Sequence, residues 1–477
     1  MNTAHHETVL DRRLRSARAR GPGINDGHGE RYRAYRRGER GPGSERFIAA
    51  SQPGSVGSSV RTVQVTLARF ARRSPVTTTS AFDLELPVYE PEGLSRADRM
   101  AHLVAIRNEH WLARSPLGFA VMGHSDIVSV LRDRRFHSAL SLLPQLQGLP
   151  DESIEERRPS ILSMEGDEHA RVRRLVAPAF TPAAANRLRP FMDEVIAELL
   201  DGIAASGSCD FVTAVCEPYP IPIICELLGA PREDWELFSR WATDIFRIFN
   251  QNLAEDLPAV QRAGAELETY VSELVDRRRS EPGDDLLSVL IAAEEAGDRL
   301  STDELVMLAE AVLMAGTDTT RNQLGCSVAL LLTFPEQWKA LVADPGLGPR
   351  AVDETMRYLG AVQGTIRVAS EDIVYRDVLF PRGSLVSCAL SAGNRDPAFV
   401  DEPEMFDITR ESTGPHLTFG SGIHYCLGAH LARGELQAAL GLLATRFPDL
   451  ALDGDVEWKP ETFGIWGPSR LPVRWTA

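Results

Sequence analysis

The sequence has no run of about 18 or more apolar residues and no apolar core near its N-terminus, which excludes a membrane-spanning helix and a secretory signal. Cysteine is sparse. Cys209, Cys216, Cys225, Cys326, Cys388 and Cys426 include no CxxC pair. A disulfide framework is therefore excluded, and five of the six read as small buried hydrophobes in a reducing compartment. No repeat with a period of about 20–50 residues is visible, so a solenoid is excluded. Lysine is nearly missing: only Lys339 and Lys459 stand against abundant arginine, a bias typical of GC-rich bacterial genomes. What remains is an ordinary globular composition, 43% hydrophobic over 477 residues, enough for two or three average domains or one large one. An intracellular, cytoplasmic enzyme is expected.

Charge is unevenly spread. Residues 1–75 hold fifteen arginines against six acidic residues, so the remainder carries the acidity behind the net charge of −16. This leader is rich in Gly, Ser and Arg and lacks a sustained apolar period, the composition of a disordered segment. From Val76 the text VTTTSAFDLELP reads like a start of its own, so a mis-annotated start is the favoured account of the leader. A dispensable tail and a basic arm directed at RNA or membrane are the alternatives. The folded domain is expected over 76–477, with no nucleic acid among its partners.

That domain reads as mainly helical with short strands. Residues 185–204 and 260–278 place apolar residues at three- and four-residue spacing. Thr181-Pro182 supplies a start signal for the first, and β-branched residues over 371–388 read as a hairpin. Ser301-Thr302-Asp303-Glu304 comes near to a capping box for a long helix. In that helix AGTDTT (315–320) places an acid, Asp318, and an alcohol, Thr319, after the small pair Ala315-Gly316. A flat ligand or dioxygen could approach the backbone closely there. Such residues compete for backbone hydrogen bonds, so the interior of the helix is expected to be irregular.

The most informative stretch is FGSGIHYCLG (419–428). Phe419 stands seven residues before Cys426. Gly420, Gly422 and Gly428 are expected to let the backbone fold in conformations that a side chain forbids. A sulfur at a helix start meets unpaired N–H groups that favour thiolate, and a lone thiolate suits haem iron better than zinc. The pattern resembles the haem-binding loop of bacterial cytochrome P450 enzymes. That resemblance covers about residues 80–477 and implies their fold, mainly α with small β-sheets. It also implies haem b, with Cys426 as the axial iron ligand and Phe419 and Gly428 beside the ring.

On the same resemblance, Ala315 and Gly316 belong to the haem-facing helix, while Asp318 and Thr319 supply protons for dioxygen cleavage. Glu354 and Arg357, one helical turn apart, resemble the family's ExxR element, with Arg410 completing a structural ion triad. His169, Arg173, Arg367 and His424 match positions that contact the haem propionates. The segment MEGDEH departs from the Pro-rich turn of many relatives, which leaves the geometry before His169 open.

The implied reaction is O2-dependent monooxygenation of a lipophilic small molecule. Electrons come from NAD(P)H through a separate ferredoxin reductase and ferredoxin that dock near Cys426. The alternatives are a peroxygenase of the same fold, against which Asp318 and Thr319 argue, and a non-catalytic haem-binding protein. Pocket walls are expected from 138–163, 240–262, 307–319, 361–366 and 461–468, including Leu308, Val312, Val362, Ile465 and Trp466. Their apolar character suits a terpenoid, steroid or polyketide.

Overall fold

The computed structural model describes residues 78–477 apart from 91–93, 143–159, 250–252, 296–300, 412–413 and 461–464. The basic leader and parts of the expected pocket walls, Leu143, Leu146 and Phe463 among them, lie outside the described residues. The architecture is mainly helical with small sheets. Its helices are α1 (Arg96–Glu109), α2 (His124–Arg132), α3 (Gly166–Val176), α4 (Pro182–Ile203), α5 (Pro220–Leu228), α6 (Trp235–Phe246), α7 (Leu253–Ser280), α8 (Leu286–Glu295), α9 (Thr302–Thr333), α10 (Pro335–Ala343), α11 (Gly348–Tyr358), the short α12 (Leu390–Gly393) and α13 (Ala429–Arg446).

Local signals set the starts of the helices. Thr181 caps α4, its side chain accepting from Ala184 N–H with Pro182 in the first turn. Ser301 and Glu304 form a complete capping box on α9. At 32 residues α9 is about 48 Å long. It packs against α5, α6, α7, α11 and α13 and forms the axis of the larger apolar core. The helix runs without a break through AGTDTT, contrary to the irregularity expected there. Thr319 Oγ1 donates to Ala315 O at 2.6 Å, and Thr317 Oγ1 donates to Met314 O at 3.3 Å. These hydroxyls bond back onto the helix that they were expected to disrupt.

A second core lies around a five-stranded sheet, in the order Leu112–Ser115, Gly118–Val121, Leu385–Cys388, Thr365–Ala369 and Phe136–Ser138. The expected hairpin divides. Ile373–Tyr375 and Val378–Phe380 pair across Arg376 and Asp377, both at positive φ, whereas Leu385–Cys388 enters the larger sheet. Val386 and Cys388 on one face of that last strand are fully buried in the core of the larger sheet.

A buried ionic cluster lies on α11. Glu354 and Arg357, on α11, form a two-pronged pair at 2.7 and 2.8 Å, with Arg410 Nε 3.7 Å from Glu354 Oε1. Asp407 N–H also donates to Glu354 at 3.0 Å. Arg357 goes on to donate to the carbonyls of Asn394, Pro403 and Met405. Glu354→Ala leaves a buried cation without its partner, and the expected loss is about 3–5 kcal/mol. Denaturant unfolding and the Soret absorption of the purified variant check this; unchanged stability with full haem content would contradict it.

Candidate functional site

The loop before α13 is shaped by one close approach. Gly422 has φ +72°, and a Cβ there would lie 2.0 Å from Leu131 O at the end of α2. Only glycine lets the loop seat on that helix. Gly428 differs from expectation: its φ is −84° and open space surrounds its Cβ position, so its conformation requires no glycine. Cys426 N–H donates to Phe419 O at 2.9 Å, which closes the loop and brings Phe419 back beside the cysteine. Arg433 lies over the Phe419 ring at 4.5 Å.

Cys426 is solvent-accessible, yet burial is the largest influence on its thiol and pushes its pKa up. Both hold if it opens onto an interior space rather than the outer surface. Gly428 N–H, Arg173 and Arg433 pull the other way without prevailing, so the helix start alone does not yield the expected thiolate. A bound metal deprotonates a coordinating thiol outright.

Ala315 is exposed within a helix whose neighbouring residues Val312, Leu313, Thr317 and Asp318 are buried. Gly316 does not serve the expected purpose. An added Cβ would lie 2.3 Å from Ile224 Cδ1, so the missing side chain accommodates α5. Leu308, Val312 and Trp466, expected in pocket walls, belong to the main core, and Trp466 stacks on Trp458 with centroids 4.4 Å apart. Asp318 is buried and ion-paired with Arg321, which reaches Thr243 on α6 at 3.4 Å.

The expected cationic group converges from distant parts of the chain. The His169 and His424 rings stand 4.6 Å apart. Burial, with His424 and Arg173 adding to it, lowers the His169 pKa to about 4, so its ring is neutral at neutral pH. Arg173 donates to the Tyr425 carbonyl beside the cysteine. Arg367 is buried on its strand opposite Ser138, its Nη1 donating to Thr365 Oγ1 and Ile366 O at 3.0 Å each. A haem fits this donor set. The buried Nε2 of His169 has no hydrogen-bond partner, the kind of orphan that a propionate satisfies. The cysteine supplies an accessible soft ligand among cationic side chains.

Two acids, one beside the cysteine loop and one elsewhere on α13, were not legible in the sequence. Glu165 accepts from Ser138 N–H at 2.6 Å and meets His424 Nε2 at 3.0 Å, so it ties the cysteine loop to the sheet. It lies in the unusual MEGDEH segment, which was the only signal. Glu435 on α13 is 1% exposed, and neither of its carboxyl oxygens has a hydrogen bond of good geometry, although the Thr320 hydroxyl faces it. Burial raises its pKa from 4.5 to about 8. The unfolded chain ionises near 4.5 while the folded carboxyl stays protonated, so this group costs stability as pH rises through that window. Relative to Glu435→Gln, wild-type stability is expected to fall by about 1.4 kcal/mol per pH unit from about pH 4.5 to 8, then level off. Paired urea denaturations across that range check it; a constant difference would contradict the raised carboxyl.

Comparisons with known proteins agree with this geometry. The cytochrome P450 family profile matches residues 230–344 and 349–469. Nocardicin C N-oxygenase of Nocardia uniformis subsp. tsuyamanensis is 38% identical over 371 residues, covering 76% of this chain and 91% of the relative. Mycinamicin IV hydroxylase/epoxidase of Micromonospora griseorubida is 37% identical over 406 residues, covering 83% of this chain and 100% of the relative. The structure of cytochrome P450 CYP109Q5 from Chondromyces apiculatus superposes with a TM-score of 0.72 at 33% identity, covering 82% of this chain and 98% of that one. With a thiol in a glycine-shaped loop among arginines and histidines, and relatives that match over most of their length, the chain belongs to the cytochrome P450 family and is a bacterial haem-iron monooxygenase.

Proposed function

We propose that this monooxygenase holds haem b and inserts one oxygen atom from O2 into a lipophilic small molecule of terpenoid, steroid or polyketide type. Its electrons come from NAD(P)H through a separate ferredoxin reductase and ferredoxin in the cytoplasm. The observation that carries this reading is Cys426, an accessible thiol enclosed by protein and flanked by Arg173 and Arg433. The relatives' named activities, N-oxygenation and hydroxylation or epoxidation, support the reaction class.

When bound, the haem supplies the dioxygen and one-electron chemistry. The chain's part is to hold, orient and deliver protons. Cys426 Sγ would hold its iron. Arg173, Arg367, His169 and His424 would hold the propionates, the neutral His169 as a hydrogen-bond partner rather than a charge. Phe419 and Ala315 would lie beside the group. Thr319 Oγ1, donating to Ala315 O, holds a proton at the inner face of α9. Asp318 gates proton supply, and its pairing with Arg321 means that it delivers a proton only when that pair opens or exchanges with water.

Cys426→Ser is expected to abolish the thiolate-type ferrous–CO spectrum, and a surviving spectrum would refute the ligand assignment. Thr319→Ala is expected to divert reducing equivalents to hydrogen peroxide; unchanged coupling of NAD(P)H to product would remove its proton role. A Soret titration of the ferric protein against lipophilic natural products tests the substrate class. A high-spin shift confined to polar, charged compounds would overturn it.

A further inference from the structure

Gln323 lies one turn beyond Thr319 on α9, so the two side chains share a face of the helix. It is 3% exposed, and its amide is fully engaged. Oε1 accepts from Ala361 N–H at 2.8 Å, while Nε2 donates to Leu359 O and Ser327 Oγ at 3.3 Å each. Ser327 donates in turn to Thr355 Oγ1 on α11 at 2.9 Å. The backbone leaving α11 is thereby bound to the central helix at 359–361.

The carbonyl of Ala361 holds a second segment. Trp466 N–H donates to Ala361 O at 2.9 Å, and Val362 pairs with Ile465 in an isolated antiparallel bridge. Gly467 sits so close to α9 that an added Cβ would lie 2.6 Å from Asn322 Oδ1. Gly360 in turn abuts Thr418, the residue before Phe419, with its Cβ position 2.9 Å from Thr418 Oγ1. The 359–364 segment is therefore wedged between the central helix, the cysteine loop and the C-terminal strands. Past Ala361 burial falls off: Val362 and Gln363 are half-buried and Gly364 is exposed, with Ser391 N–H donating to Gln363 O at 3.1 Å.

We propose that Gln323 is a positioning residue for substrate specificity. Acting through the Ala361 N–H, it sets the distance between α9 and the 361–366 segment with Ile465, the expected pocket wall, and so the bulk of the molecule admitted to the iron. This rests on the haem-thiolate reading of the site, and Gln323 itself touches no substrate. A side chain of equal volume fills the space, but only the amide fixes the wall at hydrogen-bond distance from the helix.

The test compares the haem-loaded wild type with Gln323→Met, which keeps the volume and removes the bonds, and with Gly467→Ala, which keeps the bonds and pushes the wall from α9. Each ferric protein is titrated with imidazole, 4-phenylimidazole and clotrimazole, and nitrogen ligation is read from the Soret shift. Imidazole senses the iron alone, and its Kd is expected to stay within about twofold of wild type in both variants. The ratio of clotrimazole to 4-phenylimidazole Kd is expected to change by about fivefold or more, the scale on which a pocket senses small changes of shape. Equal ratios in all three proteins, with only a lower melting temperature in the variants, would make Gln323 purely structural and overturn the proposal. If Gln323→Met binds no haem, the ratio in Gly467→Ala decides in the same way. Failure of the haem-thiolate reading is distinct: the wild type would then show no Soret band and no thiolate-type ferrous–CO spectrum.

Discussion

The carboxylate of Glu354 sits where bulk water does not reach, and much of the framework around the cysteine depends on its being matched. Arg357 neutralises it, Asp407 N–H and Arg410 complete its surroundings, and Arg357 spends its remaining donors on three carbonyls of the 394–405 segment. Asn394 then carries the order onward. Its amide accepts from Leu417 N–H and donates to Thr418 Oγ1, one residue before Phe419. A continuous series of bonds thus runs from an ion pair on α11 to the loop that presents Cys426. In a low-dielectric interior such a network holds firmly while complete and fails sharply when a member is lost.

Not every buried polar atom is matched. Arg410 Nε, 3.7 Å from Glu354, has no hydrogen bond, and neither have a His169 nitrogen and the two Glu435 oxygens. The imidazole and the carboxyl are both held in their neutral forms, the first by a lowered pKa and the second by a raised one. Unpaired buried polar groups are costly, and they are retained where chemistry or ligand binding needs them.

Much of this was legible in the sequence because several features are local. The 419–428 motif, the Glu354–Arg357 spacing and the capping signals at Thr181 and Ser301 each depend on residues a few positions apart. Illegible features depend on what a residue meets across the fold. Gly316 reads as space for a ligand until Ile224 is found against it, and Gly428 reads as a conformational need until its ordinary φ is seen. The hydroxyls of AGTDTT read as helix breakers until they are found bonded back onto α9. Glu165 and Glu435 carry no motif at all. Their significance comes from partners, or from the lack of partners, in distant segments.

That remoteness bears on the order in which the molecule assembles. Glu165 meets His424 across 259 residues of chain, and Arg173 meets Tyr425 across 252. Contacts at such separations form slowly, because closing long loops costs entropy before the contacts can compensate. Helices such as α9 can form early from local signals, but the cluster of Glu165, His169, Arg173 and His424 beside Cys426 exists only once segments some 250 residues apart have docked. Prosthetic-group capture therefore belongs to the last stage of folding, and supply of the group during synthesis has little to act on until the C-terminal fifth of the chain is in place.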